Sequence, residues 1–435
     1  MSASERGATT APYALRVGTL IDPYAGDTKR DQVVLIDGAT ISDVLPAGTY
    51  GSGDGREVRD ARDLTAMPGL IDAHVHISYD PDPGDSWKLQ DLTASVGYLA
   101  IQGSTFARTT LAAGFTTVRD LGARGYANLA VRDAIEAGLV DGCRVMACGL
   151  PLCATGGHFD HAAPYRNVEV PERAEVVDSP DEARRAVRRQ LKRGADLIKI
   201  AIDGRVGSSF DPRSTEWQEL SRPELEAICR AAHEAGRRVA AHTGGGRGLR
   251  DAIDVGIDSL EHLQGFDDAV FDALAERGTF LVPTLMATRA TVDRGVAPQA
   301  PKGFEQRALE WMARNWEEKA EAMGRARAAG VRMALGTDAG YVNCRHGDNA
   351  YELQLLVETG MPIMEALRCA TSEAAACLGW GSEIGRIAPG FRADVLLLDA
   401  DPSADVSVLR GGNAVNTVIK DGVVVFRHAV TTKGS

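Results

Sequence analysis

Pro68-Gly-Leu-Ile-Asp-Ala-His-Val-His-Ile77 decides how the rest of this chain is read. Its apolar run has the texture of a buried strand, and two histidines stand at i and i+2 near its end. Side chains two apart on a strand point to one face, roughly 6–7 Å apart along the backbone. His74 and His76 can therefore reach one metal ion from a rigid support, which suits imidazole nitrogen. A polar strand end would look the same, so the remaining sequence has to decide.

Seven more apolar or β-branched runs follow that first strand, Leu70–His76. They are Phe115–Asp120, Arg144–Leu150, Leu197–Ile202, Arg238–Thr243, Asp258–His262, Thr279–Leu285 and Val331–Asp338. Helical text fills the gaps. Asp181-Glu-Ala-Arg-Arg-Ala-Val-Arg-Arg-Gln-Leu-Lys-Arg-Gly194 opens on acids, keeps apolar residues at helical spacing and stops on glycine. Eight strand–helix units are the count of an α/β fold, the (β/α)8 TIM-type barrel, placed here over residues 68–390. Residues 1–67 and 391–435 read as short strands between Gly, Asp and Pro, among them Gln32-Val-Val-Leu-Ile-Asp-Gly38 and Ala393-Asp-Val-Leu-Leu-Leu-Asp399. The two ends are expected to form one small, discontinuous β-sandwich.

A chain of 435 residues suits a large barrel with an appendage. The net charge of −12 argues against nucleic-acid or anionic-membrane binding, since both need a basic surface. No run approaches the roughly 18 apolar residues of a membrane span, and the start lacks the apolar core of a secretory signal. Seven scattered cysteines with no Cys-x-x-Cys pair indicate neither a disulfide framework nor a structural zinc site. A cytoplasmic protein with reduced thiols is expected.

Polar residues collect at the strand ends: His74 and His76 on the first, Lys199 on the fourth, His242 on the fifth, His262 on the sixth and Asp338 on the eighth. Barrel strands present their C-terminal ends at one mouth, so all six would converge there. Each alone has an ordinary explanation as a satisfied strand-end group or a turn residue; six together argue for a metal site. Lys199 differs in kind. An ammonium inside Leu-Ile-Lys-Ile-Ala-Ile is a costly buried charge and cannot ligate a cation. Desolvation and nearby metal ions lower its pKa. The neutral amine can then take up carbon dioxide as a carbamate, a carboxylate able to bridge two metals. Snorkelling to solvent or pairing with an acid is the ordinary alternative.

The order His-x-His, strand-four Lys, two further His and then Asp resembles the metal-dependent amidohydrolase superfamily, as does Gly385-Arg-Ile-Ala-Pro-Gly-Phe-Arg-Ala-Asp-Val395. The resemblance covers nearly the whole chain. It implies that carboxylated Lys199 bridges two divalent ions, with His74, His76 and Asp338 on one and His242 and His262 on the other. Zinc is the expected metal, although the ligand types also suit manganese or cobalt. Metal binding lowers the pKa of water from 15.7 to roughly 7, which makes a bridging hydroxide the expected nucleophile. Asp338 is the candidate catalytic base, passing the proton to the departing amine. No Gly-x-Ser-x-Gly elbow supports serine catalysis. Mononuclear deaminases of the superfamily generally place a Glu shortly after the strand-five His, whereas His242 is followed by Thr-Gly-Gly-Gly-Arg.

Ala154-Thr-Gly-Gly-His-Phe-Asp-His161 resembles the loop of the prolidase-like branch, which includes Xaa-Pro and Xaa-Arg/Lys carboxypeptidases and ochratoxinase-like amidases. Phe159 stands where that branch usually has Gly. His158 is a candidate to donate a hydrogen bond to the substrate carbonyl, or else to anchor the turn. Arg205 is a candidate fork for a substrate carboxylate. Tyr79, Tyr341 and His346 are candidate pocket residues, and Arg345 lies on the same face. The expected function is hydrolysis of an N-acyl amino acid, dipeptide or ochratoxin-type amide, a small-molecule partner. A deaminase or cyclic-amide hydrolase, and a non-catalytic metal-stabilised scaffold, are the alternatives. The resemblance also suggests a homo-oligomer.

Overall fold

A computed structural model describes residues 11–51, 55–82, 93–160, 173–203, 217–295 and 304–428. Both chain ends meet in one seven-stranded sheet. Its spatial order is Val423–Arg427, Val415–Lys420, Val395–Leu398, Glu57–Pro68, Tyr13–Asp22, Asp27–Asp37 and Thr40–Pro46. The expected sandwich thus takes the form of a single continuous hydrogen-bonded sheet. Strand Glu57–Pro68 is its seam, pairing parallel with Tyr13–Asp22 and antiparallel with Val395–Leu398. Alternate residues Tyr13, Leu15 and Val17 enter a core shared with Ile36, Val395 and Ile419. The C-terminal run is a hairpin. Asp421 and Gly422 both have positive φ at its turn, +51° and +75°, the combination a two-residue turn between twisted strands demands.

Seven of the eight expected parallel strands form, each within the stretch read from sequence. Leu70–Val75, Phe115–Asp120 and Arg144–Ala147 make one sheet. Ile198–Ala201, Val239–His242, Ser259–Glu261 and Phe280–Val282 lie side by side in another, which ends on the short strands Leu152–Cys153 and Glu175–Val176. The eighth segment differs from expectation. It carries isolated parallel bridges, Met333 to Leu281 and Ala339 to Val75, and no continuous strand. Its backbone bonds are partly diverted to a side chain, since Thr337 N–H donates to Asp72 Oδ1 at 3.2 Å as well as to His74 O at 3.2 Å. Ala73 N–H reaches Leu335 O at 2.8 Å, and Ala334 N–H reaches Leu281 O at 3.0 Å.

The predicted helix after residue 180 spans Pro180–Lys192, with Ser179 accepting from Glu182 N–H as its cap. All seven cysteines are free and buried. No helix among the described residues is long and apolar enough to cross a membrane.

Candidate metal centre

A one-residue slip in strand pairing gives the first motif its direction. Asp72 pairs with Val118 but Val75 with Asp120, so one extra residue is accommodated between them. A slip of one reverses which side chains face inward. Ile71 and Ala73 pack in the same cluster as Met146, Ala240 and Phe280, yet His74 and His76 also turn toward the opposite strands. His74 Nε2 and His76 Nε2 approach Asp338 Oδ1 at 3.4 and 3.3 Å. One ligand atom from each of these residues lies within 4.8 Å of the others, a group that could hold a metal ion.

The far ring nitrogens are committed elsewhere, which leaves Nε2 toward the centre. His74 Nδ1–H donates to Glu261 Oε2 at 2.9 Å, and His76 Nδ1–H donates to Gly122 O at 3.0 Å. Glu261 is fully buried and also accepts from Arg119 Nη2 at 2.8 Å and Ser259 Oγ at 2.6 Å. Burial would raise its pKa, but Arg119 and His74 hold the carboxyl well below its usual range. Asp72 braces the other side, accepting from His74 N–H at 3.0 Å, Thr337 Oγ1 at 2.6 Å and Asn349 Nδ2 at 2.7 Å. Asp120 accepts from Ile77 and Gly122 N–H. Glu261, Asp72 and Arg119 were not singled out by the sequence reading. Their only signal was a charged residue inside an apolar strand, the same signal that singled out Lys199.

His242 and His262 complete a contiguous set. His262 lies 5.0 Å from His74 and 4.6 Å from His242 between ring centroids. Thr284 Oγ1 bonds His262 Nδ1 at 2.7 Å. Burial first, and neighbouring cationic groups second, lower both rings well below the ordinary histidine value, so they remain neutral with lone pairs available. Burial alone would raise Asp338, but the charges and hydrogen bonds of His74 and His76 hold it well below the usual carboxylate range.

Lys199 is 1 % exposed, and its Nζ has no hydrogen-bond partner among the described residues. It therefore neither snorkels nor pairs. Burial pushes its pKa down to about 8 against the opposing pull of Glu261. Register pairs Lys199 with Ala240, Ala201 with His242 and His242 with Glu261, so lysine, histidine and the strand-six end sit on adjacent strands. Four imidazoles, one carboxylate and an orphaned buried amine suit divalent metal ions.

The candidate substrate residues scatter more widely. His158 stacks on His242 at 3.7 Å between centroids, with its backbone N–H donating to Glu219 Oε1 at 2.8 Å. Phe159 meets the His158 ring edge-on at 4.8 Å. Tyr79 lies 5.8 Å from the His76 ring, and its hydroxyl accepts from Arg124 N–H at 3.1 Å. His346 is buried against Phe106 at 4.5 Å and bonds Tyr79 O at 3.3 Å, which makes it a support of Tyr79. Tyr341 is 47 % exposed, and Arg345 pairs with Asp82. Arg205 and His161 lie outside the described residues.

A model of the amidohydrolase family matches residues 65–425. Ochratoxinase from Aspergillus niger is 32% identical over 376 residues, which cover 82% of this chain and 74% of that protein. The crystal structure of a Xaa-Pro dipeptidase with methionine bound in its active site superposes with a TM-score of 0.82 at 32% identity. That match covers 96% of this chain and 100% of the other. Imidazolonepropionase from Salinispora tropica is 25% identical over 410 residues, covering 91% and 92%.

Proposed function

The chain belongs to the amidohydrolase family, as a hydrolase of C–N bonds in its ochratoxinase- and prolidase-like branch, and on that premise we propose its reaction. It cleaves the amide bond of an N-acyl amino acid, a dipeptide or an ochratoxin-type amide at a pair of divalent ions, zinc in this reading. The eight parallel segments are read as one closed (β/α)8 barrel whose mouth carries the site.

One observation carries the reading: a buried lysine amine with no hydrogen-bond partner among the described residues, on the strand next to that of His242 in a group of four histidines and an aspartate. A permanently charged Lys199 there would be costly, whereas the neutral amine adds to carbon dioxide and loses a proton to leave an N-carboxylate. His74, His76 and Asp338 would hold one ion, His242 and His262 the second, and carboxylated Lys199 would join them. When bound, the ions supply an activated water and polarise the scissile carbonyl. Asp338 accepts the nucleophile's proton and returns it to the departing amine nitrogen. His158 stacks on His242, and in this reading it donates to the carbonyl oxygen.

Hydrolysis of a cyclic amide is the second reading, favoured by the similarity to imidazolonepropionase. A screen of metal-loaded enzyme separates the two. N-acyl amino acids, dipeptides and aryl amides with a free carboxylate are expected to turn over. Turnover restricted to cyclic amides or aminated rings would replace the first reading. Lys199→Ala is expected to lose bound metal and to lose more than the roughly 10–100-fold in activity that a supporting partner costs. Short carboxylic acids should restore part of it, and full binuclear metal content in that variant would contradict the bridging role.

A further inference from the structure

The loop that leaves His262 forms one wall of a cavity of about 190 Å³, through Leu263, Gln264, Gly265 and Phe266. The opposite wall is helix Phe304–Ala328, which contributes Asn315 and Lys319. These two are four residues apart and so share a helix face. Each is only 5% exposed, an uncommon fate for lysine and asparagine. No hydrogen bond or ion pair joins either side chain to another described residue.

Two other charged groups nearby are already engaged. Glu352, whose charge acts on Lys319, spends both carboxylate oxygens on Leu285 and Met286 N–H at 2.8 and 2.7 Å. Arg325, also on the cavity wall, donates to Asp268 Oδ1 at 2.8 Å and Phe266 O at 3.2 Å. The cavity therefore offers an ammonium and a carboxamide with uncommitted donors in a space several times the roughly 30 Å³ that one water takes in the liquid. The cavity shares with the metal centre the loop that begins directly after His262, and the charge of Asp338 acts on that ammonium. A ligand in this cavity would meet the Lys319 ammonium and the Asn315 and Gln264 carboxamides, which can donate or accept, with the exposed Glu318 as the one carboxylate of the lining.

We propose that this cavity receives the free carboxylate of the substrate, with Lys319 as counter-charge and the Asn315 amide as second donor. The assignment rests on the amide-hydrolase reading and specifies its substrate class: acyl amino acids and dipeptides ahead of their neutral amides. A flexible lysine suits this task better than a structural one, because an ammonium without a protein partner is stabilised only when an anion arrives.

The test pairs the full set of N-acetyl amino acids with their C-terminal carboxamides. In metal-loaded wild type the acid is expected to be favoured in kcat/KM. Lys319→Met should cut that acid-over-amide ratio by about tenfold to a hundredfold, mainly through KM, the size of one charge-assisted hydrogen bond. Asn315→Leu should cut it less, and Lys319→Arg should retain most of it. An unchanged ratio in Lys319→Met, or an equal fall for acid and amide, would overturn the assignment in favour of a structural lysine. Calorimetric titration of the same acids keeps the two readings separable. If neither acid nor amide turns over in wild type, the hydrolase reading fails. Binding of the acids that Lys319→Met abolishes would still support the cavity, and no binding by wild type would overturn it.

Discussion

Asp338 and His262 both hold backbone φ in the left-handed region, +62° and +70°, where a non-glycine residue costs about 1–3 kcal/mol. The strain persists because surrounding bonds impose it: Asp338 N–H donates to His74 O at 2.8 Å and His262 N–H to Val282 O at 2.9 Å. Asn tolerates that backbone as well as Asp does. Asp338→Asn should therefore keep the fold, judged by an unchanged circular dichroism spectrum, while kcat falls about 10²–10⁴-fold, the scale of general acid–base work. Wild-type kcat in that variant would remove Asp338 as the base. Glu219 gives a pH signature. Burial lifts its carboxyl to about 7, so between about 4.5 and 7 the folded chain keeps a proton that the unfolded chain has released. Rising pH therefore destabilises the fold across that window, and the loss is complete above it. Glu219→Gln lacks this loss. Its Tm relative to wild type, both metal-stripped, should rise by about 2 °C between about pH 5 and about pH 8. A gap that stays constant would place the Glu219 proton elsewhere. Among single residues, Lys199 was legible because a charge interrupts an apolar run. Glu261 was not, because its neighbour His262 gave the stronger signal and its partners Arg119 and His74 are far apart in sequence.

Among the elements, the passage from the seven-stranded sheet to the first parallel strand depends on Gly69. Strand Glu57–Pro68 ends beside it and Leu70–Val75 begins after it. A Cβ at Gly69 would lie 2.2 Å from Thr116 Oγ1 and 2.9 Å from Thr116 Cβ, so moving the hydroxyl alone would not relieve the overlap. Gly69→Ala should destabilise by about 1–3 kcal/mol, as overpacking does, with the change read from denaturant midpoints. No loss of stability would mean that strand Phe115–Asp120 can retreat. Strand positions were readable because apolar and β-branched runs end sharply at glycine and charge. The pairing slip between Asp72 and Val75 was not, because register depends on the partner strand. The broken eighth strand was equally hidden, since Asp72 takes a backbone N–H from a segment some 265 residues away.

For the molecule as a whole, the two chain ends close on each other through Glu57–Pro68 and Val395–Leu398, with Arg144 of strand Arg144–Ala147 pairing to both Asp394 and Asp421. Metal bound only by the folded chain would add stability by mass action, about 4 kcal/mol at roughly a thousandfold above Kd. Chelation should accordingly lower Tm by several degrees and abolish turnover, and zinc with bicarbonate should restore both. Unchanged Tm and activity after verified metal removal would instead favour a metal-independent scaffold.

The sequence by itself determined the strand count to within one broken member, the residue types at the strand ends and the family, because these follow from local periodicity and short motifs. Tertiary structure alone decided that His74 and His76 share a face despite the slip, that Lys199 Nζ has no hydrogen-bond partner among the described residues, and that Asn315 and Lys319 line a cavity next to the loop that leaves His262. Those facts depend on distances between segments far apart in the chain, and burial and pairing are properties of the assembled neighbours.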